Sequence, residues 1–316
     1  MVKFGLDLTI WPWQCKNFDE LIGIACLAEK FGLDSLWFSD HLMYTTPNEG
    51  SLEVFTTLAA VAAKTQNIIV GTKVACVPFR HPGIIAKIGT TLDIISGGRF
   101  ILGVGAGWYR TEFEAFGFPF ENRVGQLRES VEILKMLWTQ PVVDYEGKFY
   151  RVSKATCLPK PLQKPHPPVW IGSSGPRMLR LTAELGDGWV IPNQSPEDYR
   201  HKWDMIKTYA KRVGRRSDEI EAAYYAYSSI ASSSEIAWKH AEEHILPERR
   251  RVLGPTLSLK DLEEICIIGS PDEWMDMIDK YITAGAEHLI MKIVPLDQDN
   301  LKLYAEKVIP YFKEES

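Results

Sequence analysis

Residues 96–108 read Ser-Gly-Gly-Arg-Phe-Ile-Leu-Gly-Val-Gly-Ala-Gly-Trp, and this stretch holds the junction on which the fold depends. The glycine pair at 97–98 indicates the end of a helix, because glycine adopts the left-handed conformation that closes one. Residues 99–104 predict a buried strand directly after it, and glycines follow at alternating positions. A helix end, a short strand and a glycine-rich loop indicate one step of a repeating β/α fold.

The same alternation extends in both directions through most of the chain. Strands are predicted at residues 4–10, 33–39, 68–77, 99–104, 169–171, 188–191 and 288–294. Helices are predicted at residues 17–31, 52–64, 83–95, 177–185, 196–212, 272–284 and 300–312. Strands that are apolar on both faces belong to parallel sheets covered by helices, which leaves an open doubly wound sheet or a closed barrel. About eight such units without a break favour a (β/α)8 barrel formed by one domain, residues 1–316.

Three segments interrupt the alternation. Residues 144–150 predict a small hairpin, and residues 160–168 predict a proline-rich loop, because proline removes backbone donors. Residues 232–260 predict one more helix with no strand after it. We expect these insertions to decorate the mouth of the barrel, where the strands have their carboxyl ends, and to shape a substrate site there.

Composition excludes several classes of protein. The chain has 316 residues, of which 45% are hydrophobic and 24% charged, as in ordinary folded proteins. The net charge of −5 is spread without long blocks of one sign, which argues against nucleic acid or an anionic membrane as the main partner. Five scattered cysteines without a CxxC pair predict no disulfide framework and indicate a cytoplasmic protein with reduced thiols. No stretch has the length of an apolar membrane span, and the N-terminus does not have the pattern of a signal peptide.

Asp40 and His41 follow the predicted strand at 33–39 and are the first candidates for catalysis. Side chains at the carboxyl ends of barrel strands face the active site, and alternation places Leu36, Phe38 and Asp40 on one face. A carboxylate beside an imidazole can tune a proton donor or acceptor near neutral pH. The alternative is that both residues only cap the following loop.

Two glycine-rich loops are candidates for binding a ring or a phosphate. Gly103, Gly105 and Gly107 let the backbone approach a planar ring, although their spacing is not that of the dinucleotide-binding motif. Residues 172–175, Gly-Ser-Ser-Gly, lie between a predicted strand and a helix, where backbone N–H groups, hydroxyls and the helix N-terminus suit an anion. The structural alternatives are a tight barrel corner for the first loop and a plain helix cap for the second.

Further candidates are few. Trp11 and Trp13, after the first predicted strand, either line an apolar pocket or pack in the core. Cys76 has no histidine paired with it nearby in sequence. We therefore interpret it as a small buried residue and not as a nucleophile. The seven histidines show no metal-ligand spacing, so no metal site is predicted.

Several short segments, taken in order, resemble the bacterial luciferase-like monooxygenase superfamily over nearly the whole chain. They are Trp-Phe-Ser-Asp-His at 37–41, Gly-Thr-Lys-Val at 71–74, Pro-Phe-Arg-His-Pro at 78–82, the opening stretch at 96–108, Ile-Gly-Ser-Ser-Gly at 171–175 and Gly-Asp-Gly-Trp at 186–189. The ordered set is far more specific than any single motif. The resemblance implies a TIM barrel that binds either flavin mononucleotide (FMN) or the deazaflavin coenzyme F420.

Within that superfamily, the Ser-Asp-His ending of the second strand is similar to the F420-dependent branch, which includes methylenetetrahydromethanopterin reductases and a glucose-6-phosphate dehydrogenase. The resemblance implies that Asp40 contacts the deazaflavin and that His41 acts in proton transfer. It assigns cofactor contacts to Asp40, Val74, Cys76, Ala106, Gly107, Thr111, Gly172, Ser173, Ser174 and Gly175. It also implies a homodimer and a non-proline cis peptide before Val74.

Three positions depart from the dehydrogenases of that branch. Trp108 stands where they have a glutamate that acts as a second acid–base group, and Glu112 is a candidate substitute. Thr45 replaces a tryptophan, and no lysine for a sugar phosphate stands near Gln194, so glucose 6-phosphate is not the expected substrate. We expect hydride transfer between F420 and a small organic substrate. The alternatives are an FMN-dependent monooxygenase that activates oxygen and, because the glutamate is missing, a non-catalytic flavin-binding protein.

Overall fold

Eight parallel strands close into a barrel in the computed structural model, which describes residues 1–9, 17–44 and 50–314. The described residues form twelve strands, of which eight make the barrel: β1 (Lys3–Asp7), β2 (Ser35–Phe38), β3 (Ile69–Thr72), β4 (Ala75–Cys76), β5 (Phe100–Gly105), β6 (Val143–Glu146), β7 (Arg151–Ala155), β8 (Val169–Gly172), β9 (Gly188–Pro192), β10 (Glu221–Ile230), β11 (Ile267–Gly269) and β12 (His288–Ile293). The α-helices are α1 (Phe18–Lys30), α2 (Val54–Lys64), α3 (Pro82–Ser96), α4 (Arg110–Phe116), α5 (Arg123–Thr139), α6 (Pro176–Leu185), α7 (Pro196–Arg212), α8 (Ser234–His240), α9 (Leu246–Leu253), α10 (Leu259–Ile265), α11 (Pro271–Thr283), α12 (Gln298–Leu303) and α13 (Ile309–Glu314). Within these described ranges, none of the helices combines the length and the apolar character that a membrane span requires. Trp11, Trp13 and Thr45 lie outside the described residues.

Strand pairing closes the barrel in the order β1-β2-β3-β5-β8-β9-β10-β12, with β12 beside β1. All of these pairings are parallel; Gly5 of β1 stands beside Ser35 of β2, and Leu6 stands beside Met291 of β12. β4 pairs with the end of β5, β11 pairs with β10 outside the ring, and β6 and β7 form the predicted hairpin. The predicted (β/α)8 barrel is therefore confirmed, and the open-sheet alternative is wrong.

Two tryptophans fill the inside of the barrel. Trp37 of β2 and Trp170 of β8 stack with their ring centroids 4.8 Å apart. Neighbouring strands carry glycine where these rings lie, because a Cβ at Gly71 would overlap the Trp37 ring and one at Gly188 would overlap the Trp170 ring. Large and small side chains thus interdigitate into a packed core, and space for a ligand is left at the mouth.

Local sequence signals explain several element ends. Asn17 caps α1 by accepting a hydrogen bond from the backbone N–H of Glu20. Ser270 and Glu273 form a capping box at the start of α11, as the Ser-Pro-Asp-Glu sequence there predicts. Gly97 ends α3 with a φ of 68°, which is the left-handed conformation expected of it. The predicted bounds near these residues are confirmed because the signals act over one helical turn.

Other parts of the predicted element order are wrong. The strand predicted at residues 68–77 is divided into β3 and β4, and the peptide between Lys73 and Val74 is cis, as the resemblance implied. β10 and α5 were not predicted; β10 is rich in alanine, tyrosine and serine, which obscures the pattern of an apolar strand.

α4 begins at Arg110, where no helix start was expected, and the insertion from residue 232 contains α8 and α9 and leads through α10 into β11. The helix predicted at 300–312 is divided into α12 and α13 by a π-helical turn.

Candidate active site

The carboxyl ends of the barrel strands surround an open cavity. It is lined by Asp7, Thr9, Ser39, His41, Tyr44, Trp108, Tyr109, Tyr225, Tyr227, Glu248, Arg249, Arg251, Val252 and Lys292. His41 is the predicted catalytic residue in this set. Active sites of (β/α)8 barrels lie at this end of the fold, so we interpret the cavity as the candidate substrate site.

A buried carboxylate from a different element holds His41. Nδ1 of His41 lies 3.3 Å from Oε2 of Glu112, which is in the first turn of α4 and is only 2% exposed. The other carboxylate oxygen of Glu112 accepts hydrogen bonds from the backbone N–H groups of Leu42 and Met43. Glu112 therefore fixes both the imidazole and the loop after β2, and among the described residues Nε2 is the ring nitrogen left for a substrate.

Asp40 has different partners from those predicted. Its carboxylate accepts two hydrogen bonds from Arg80, at 2.5 and 3.0 Å, and one of 2.9 Å from the backbone N–H of Cys76. Burial raises the pKa of Asp40, and the Arg80 guanidinium opposes that rise. Side chains of β2 alternate between two faces, as predicted. The face that carries Leu36 packs against the surrounding helices, and Asp40 follows on that same face, where it binds Arg80. Among the described contacts, Asp40 therefore makes no hydrogen bond that would orient His41.

The alternating glycines at the end of β5 and directly after it make room for the chain itself. A Cβ at Gly105 would lie 2.6 Å from Cγ2 of Val74, and one at Gly103 would overlap the carbonyl at the end of β3. At Gly107, where φ is 79°, a Cβ would lie 2.6 Å from the Phe113 ring. We expected these glycines to let a cofactor approach, and the structure shows that they accommodate the bend between β3 and β4 and the start of α4.

The predicted cofactor contacts nearby differ in exposure. Cys76 is buried, and burial raises the pKa of its thiol, which disfavours a thiolate nucleophile. Ala106 is also buried, whereas Thr111 in the first turn of α4 is exposed. Cys76 thus fits the interpretation of a small buried residue.

The loop after β8 leads directly into α6. Ser173 is buried, and its hydroxyl lies 2.9 Å from that of Thr182, so this hydroxyl is used inside the fold. Ser174 and Gly175 are exposed, and a Cβ at Gly175 would meet nothing within 4 Å. No side chain in the described part of the chain caps α6. An exposed and uncapped helix N-terminus has the donors and the partial positive charge that suit a phosphate, so Ser174 and Gly175 fit the predicted anion site.

Eight of the ten predicted cofactor contacts, all except Asp40 and Thr111, are brought together on one side of the mouth, because β4, β5 and β8 are adjacent in the barrel. We call this side the glycine half; it comprises Val74, Cys76, Ala106, Gly107, Gly172, Ser173, Ser174 and Gly175. These eight residues carry no carboxylate, ammonium or guanidinium group. A flat ring would therefore cover them without desolvating a charge, while the start of α6 suits a phosphate. The residues present fit a flavin or a deazaflavin.

The opposite side of the mouth carries buried charges that the sequence analysis missed. We call this side the charged half; it comprises Asp7, Lys73, Tyr225, Tyr227, Glu248, Arg249 and Lys292. Nζ of Lys73 lies 3.2 Å from Asp7 and 3.3 Å from the centroid of the Tyr225 ring, and burial lowers the pKa of Lys73 to about 8. Nζ of Lys292 lies 3.1 Å from Glu248. Charged residues inside the apolar patterns of β1 and β12 are the sequence signal that could have indicated this cluster.

Comparison with known proteins identifies the family. The family model described as luciferase-like monooxygenase matches residues 7–288. The chain is 31% identical over 314 residues to a protein of Microbacterium testaceum named F420-dependent glucose-6-phosphate dehydrogenase, covering 92% of this chain and 93% of that protein. It is 28% identical over 347 residues to a 5,10-methylenetetrahydromethanopterin reductase of Archaeoglobus fulgidus, covering 99% of this chain and 100% of that protein. Its fold is similar to that of the coenzyme F420-dependent tetrahydromethanopterin reductase from Methanopyrus kandleri, with a TM-score of 0.83, 24% identity and coverage of 98% of this chain and 99% of that chain. The chain belongs to the luciferase-like monooxygenase family.

Proposed function

We propose that this protein is an oxidoreductase that depends on coenzyme F420 and transfers a hydride to or from a small organic substrate. The names of the Microbacterium testaceum relative and of the Methanopyrus kandleri reductase both include F420, which supports this cofactor. The observation that carries the proposal is the position of His41. It lines the cavity and stands next to Asp40, whose carboxylate binds Cys76 of the glycine half.

The glycine half would hold the cofactor. When bound, the deazaflavin supplies or accepts the hydride at its C5. Val74, Ala106 and Gly107 offer an uncharged surface to the ring system, and Ser174 and Gly175 offer donors to the phosphate. The full set of proposed contacts is Asp40, Val74, Cys76, Ala106, Gly107, Thr111, Gly172, Ser173, Ser174 and Gly175.

His41 would exchange a proton with the substrate. The carboxylate of Glu112 at Nδ1 favours the tautomer with its proton on that nitrogen. Nε2 is then free to accept a proton, and to return it once the ring is charged. Glu112 acts as a positioning residue that holds His41 from α4.

Substitution of His41 tests this role. We expect His41→Gln to lower turnover by about 100-fold and to leave the Kd for F420 largely unchanged, because the imidazole moves a proton and lies outside the glycine half. His201→Gln, on the exposed side of α7, is the matched control and should change neither quantity. Steady-state kinetics and fluorescence titration measure the two effects. An equal loss of turnover and of F420 affinity in His41→Gln would contradict the assigned role.

A fluorescence titration of the whole protein with F420 and with FMN tests the cofactor itself. We expect saturable binding of F420 and weaker binding of FMN. Tighter binding of FMN together with oxygen consumption would favour the FMN-dependent monooxygenase, since deazaflavins react poorly with oxygen. Binding of F420 without turnover across a broad panel of substrates would favour a non-catalytic flavin-binding protein, the candidate that Trp108 motivates.

We also propose that residues 1–316 act as one domain, that the protein is cytoplasmic and that it forms a homodimer. Exposed apolar side chains on neighbouring segments support the dimer: Ile84 and Ile95 on α3, and Leu158 and Leu162 in the loop beside it. Light scattering should give twice the chain mass of 35.9 kDa. A mass of one chain at micromolar concentration would contradict the dimer.

A further inference from the structure

We propose that the substrate is a planar organic monoanion whose carboxylate binds Arg249 and Lys292 in the charged half. The site lies in the cavity described above, across the mouth from the glycine half. The inference rests on the proposed function for its redox step alone. The anion site itself is argued from the residues of this chain.

Two cationic side chains and one carboxylate meet on this side of the cavity. Nζ of Lys292 lies 3.1 Å from Oε1 of Glu248, and Nη2 of Arg249 lies 3.6 Å from the same oxygen. Lys292 is 3% exposed and Arg249 is 4% exposed. Two cations share one carboxylate, so the cluster carries one positive charge in excess, largely removed from water. An anionic group would neutralise that charge.

The hydrogen bonds of Arg249 are also incomplete. Nη2 donates to the hydroxyl of Tyr227 at 2.7 Å, and Nη1 donates to Oδ1 of Asn193 at 3.3 Å. Nε is buried and has no hydrogen-bond partner among the residues that the structure describes. Buried donors are normally paired, and a carboxylate presents two oxygens that match adjacent N–H groups of a guanidinium. The incomplete set of bonds points to the same ligand as the excess charge.

The other acids that the structure describes around the cavity already have partners. Asp7 lies 3.2 Å from Nζ of Lys73, and Glu112 binds His41 and two backbone N–H groups. Neither of them balances the excess charge beside Arg249. The negative charge of Glu248 in the same cluster repels a second negative charge, so a carboxylate fits better than a dianionic phosphate.

Aromatic side chains line the cavity near His41. The rings of Tyr44 and Trp108 lie 4.9 and 6.1 Å from the imidazole, centroid to centroid, and Tyr225 lines the same cavity. Trp108 is 56% exposed, so a large aromatic surface is open beside the imidazole. Aromatic walls favour a planar, unsaturated molecule. A substrate anchored at the cation cluster would thus place its planar part against the tyrosines and Trp108.

The two cations come from different parts of the fold. Lys292 belongs to the barrel strand β12, whereas Arg249 belongs to α9, which lies in the insertion between β10 and β11. Arg251, two residues further along the same helix, lines the exposed rim of the cavity. Arg249 of the insertion thereby contributes to the selection of an anionic substrate, while the barrel strands carry Lys292 and position His41.

Isothermal titration calorimetry of the full chain with benzoate tests the site without any need for turnover. Benzamide is the neutral analogue of the same shape, and phenyl phosphate is the dianionic one. We expect benzoate to bind at least about tenfold more tightly than either, as charge-assisted hydrogen bonds imply. An equal affinity for benzoate and benzamide would overturn the proposal, and a preference for phenyl phosphate would overturn the choice of a monoanion.

Two variants locate the site. Arg249→Gln should raise the Kd for benzoate about tenfold or more. Arg216→Gln removes the same charge from a fully exposed side chain outside the cavity, and it should leave the Kd unchanged. An unchanged Kd in Arg249→Gln would overturn the proposal. If that variant does not fold, the comparison of benzoate with benzamide on the unaltered protein decides.

The same protein sample separates this proposal from the proposed function. Preference for benzoate without binding of F420 would contradict the cofactor and still support the anion site. Binding of F420 without preference for benzoate would overturn the anion site and leave the cofactor supported.

Discussion

The two halves of the barrel mouth are built in different ways. In the glycine half, backbone and small side chains of β4, β5 and β8 pack closely, and Val74 and Phe113 fill the space at Gly105 and Gly107. In the charged half, side chains from β1, β12, α9 and the connection between β3 and β4 meet as ion pairs around Tyr225 and Tyr227 of β10. One half is held by steric fit and the other by electrostatics. We therefore expect the free energy of unfolding to respond to an added methyl group in the glycine half and to a change of charge in the charged half.

The largest expected effect comes from a methyl group added to the glycine half. Gly107→Ala should lower the free energy of unfolding by about 3 kcal/mol, because it combines a left-handed backbone with overpacking. The φ is 79°, and the new Cβ would lie 2.6 Å from the Phe113 ring and 2.8 Å from Sγ of Cys76. Urea denaturation measures the loss.

Gly175→Ala is the control for that substitution. Its φ is −84° and its Cβ would face open space, so the free energy of unfolding should change by about 0.5 kcal/mol at most. Similar losses in the two variants would show that the glycine half is not held by steric fit.

A smaller effect, dependent on pH, is expected in the charged half. Burial lowers the pKa of Lys73 to about 8, below its ordinary value of 10.5 in the unfolded chain. Between these values the unfolded chain retains a proton that the folded protein has lost, so Lys73 makes the stability rise with pH in that window. Relative to Lys73→Met, the free energy of unfolding of the unaltered protein should therefore increase by about 2 kcal/mol from pH 7 to pH 9.5.

Urea denaturation at the two pH values measures this trend. Lys207→Met, an exposed lysine on α7, is the matched control and should show no such trend relative to the unaltered protein. A difference that stays constant with pH, or that decreases, would mean that Lys73 keeps its ordinary pKa in the folded state.

The smallest effect distinguishes two neighbouring serines of the glycine half. Ser174 is exposed at the start of α6, so Ser174→Ala should weaken F420 binding about fivefold, which is about 1 kcal/mol, without loss of stability. The hydroxyl of Ser173 bonds to Thr182, so Ser173→Ala should lower the free energy of unfolding by about 1 kcal/mol. Fluorescence titration and urea denaturation of both variants test the contrast. The same result for both serines would remove the distinction between a hydroxyl that contacts the ligand and one that bonds within the fold.

Much of the fold could be predicted because its determinants are local. The capping box at 270–273 and the left-handed Gly97 set element ends within one turn, and the stretch at 96–108 contains helix end, strand and loop together. β10 escaped prediction because its alanines, tyrosines and serines show no clear apolar alternation, yet all but the first of its residues are buried. The tyrosines of this strand, Tyr225 and Tyr227, could therefore not be placed in the mouth beforehand.

By itself, the sequence determined the (β/α)8 fold, the family and the position of His41 at a strand end, since periodicity, caps and glycine motifs act between near neighbours. Only the tertiary structure decided which charges meet. Glu112, and not Asp40, contacts His41, although the two are separated by 71 residues along the chain. Lys292 binds Glu248 across a separation of 44 residues. The free energy of a buried charge depends on the groups that folding brings within a few ångströms of it, whatever their separation along the chain.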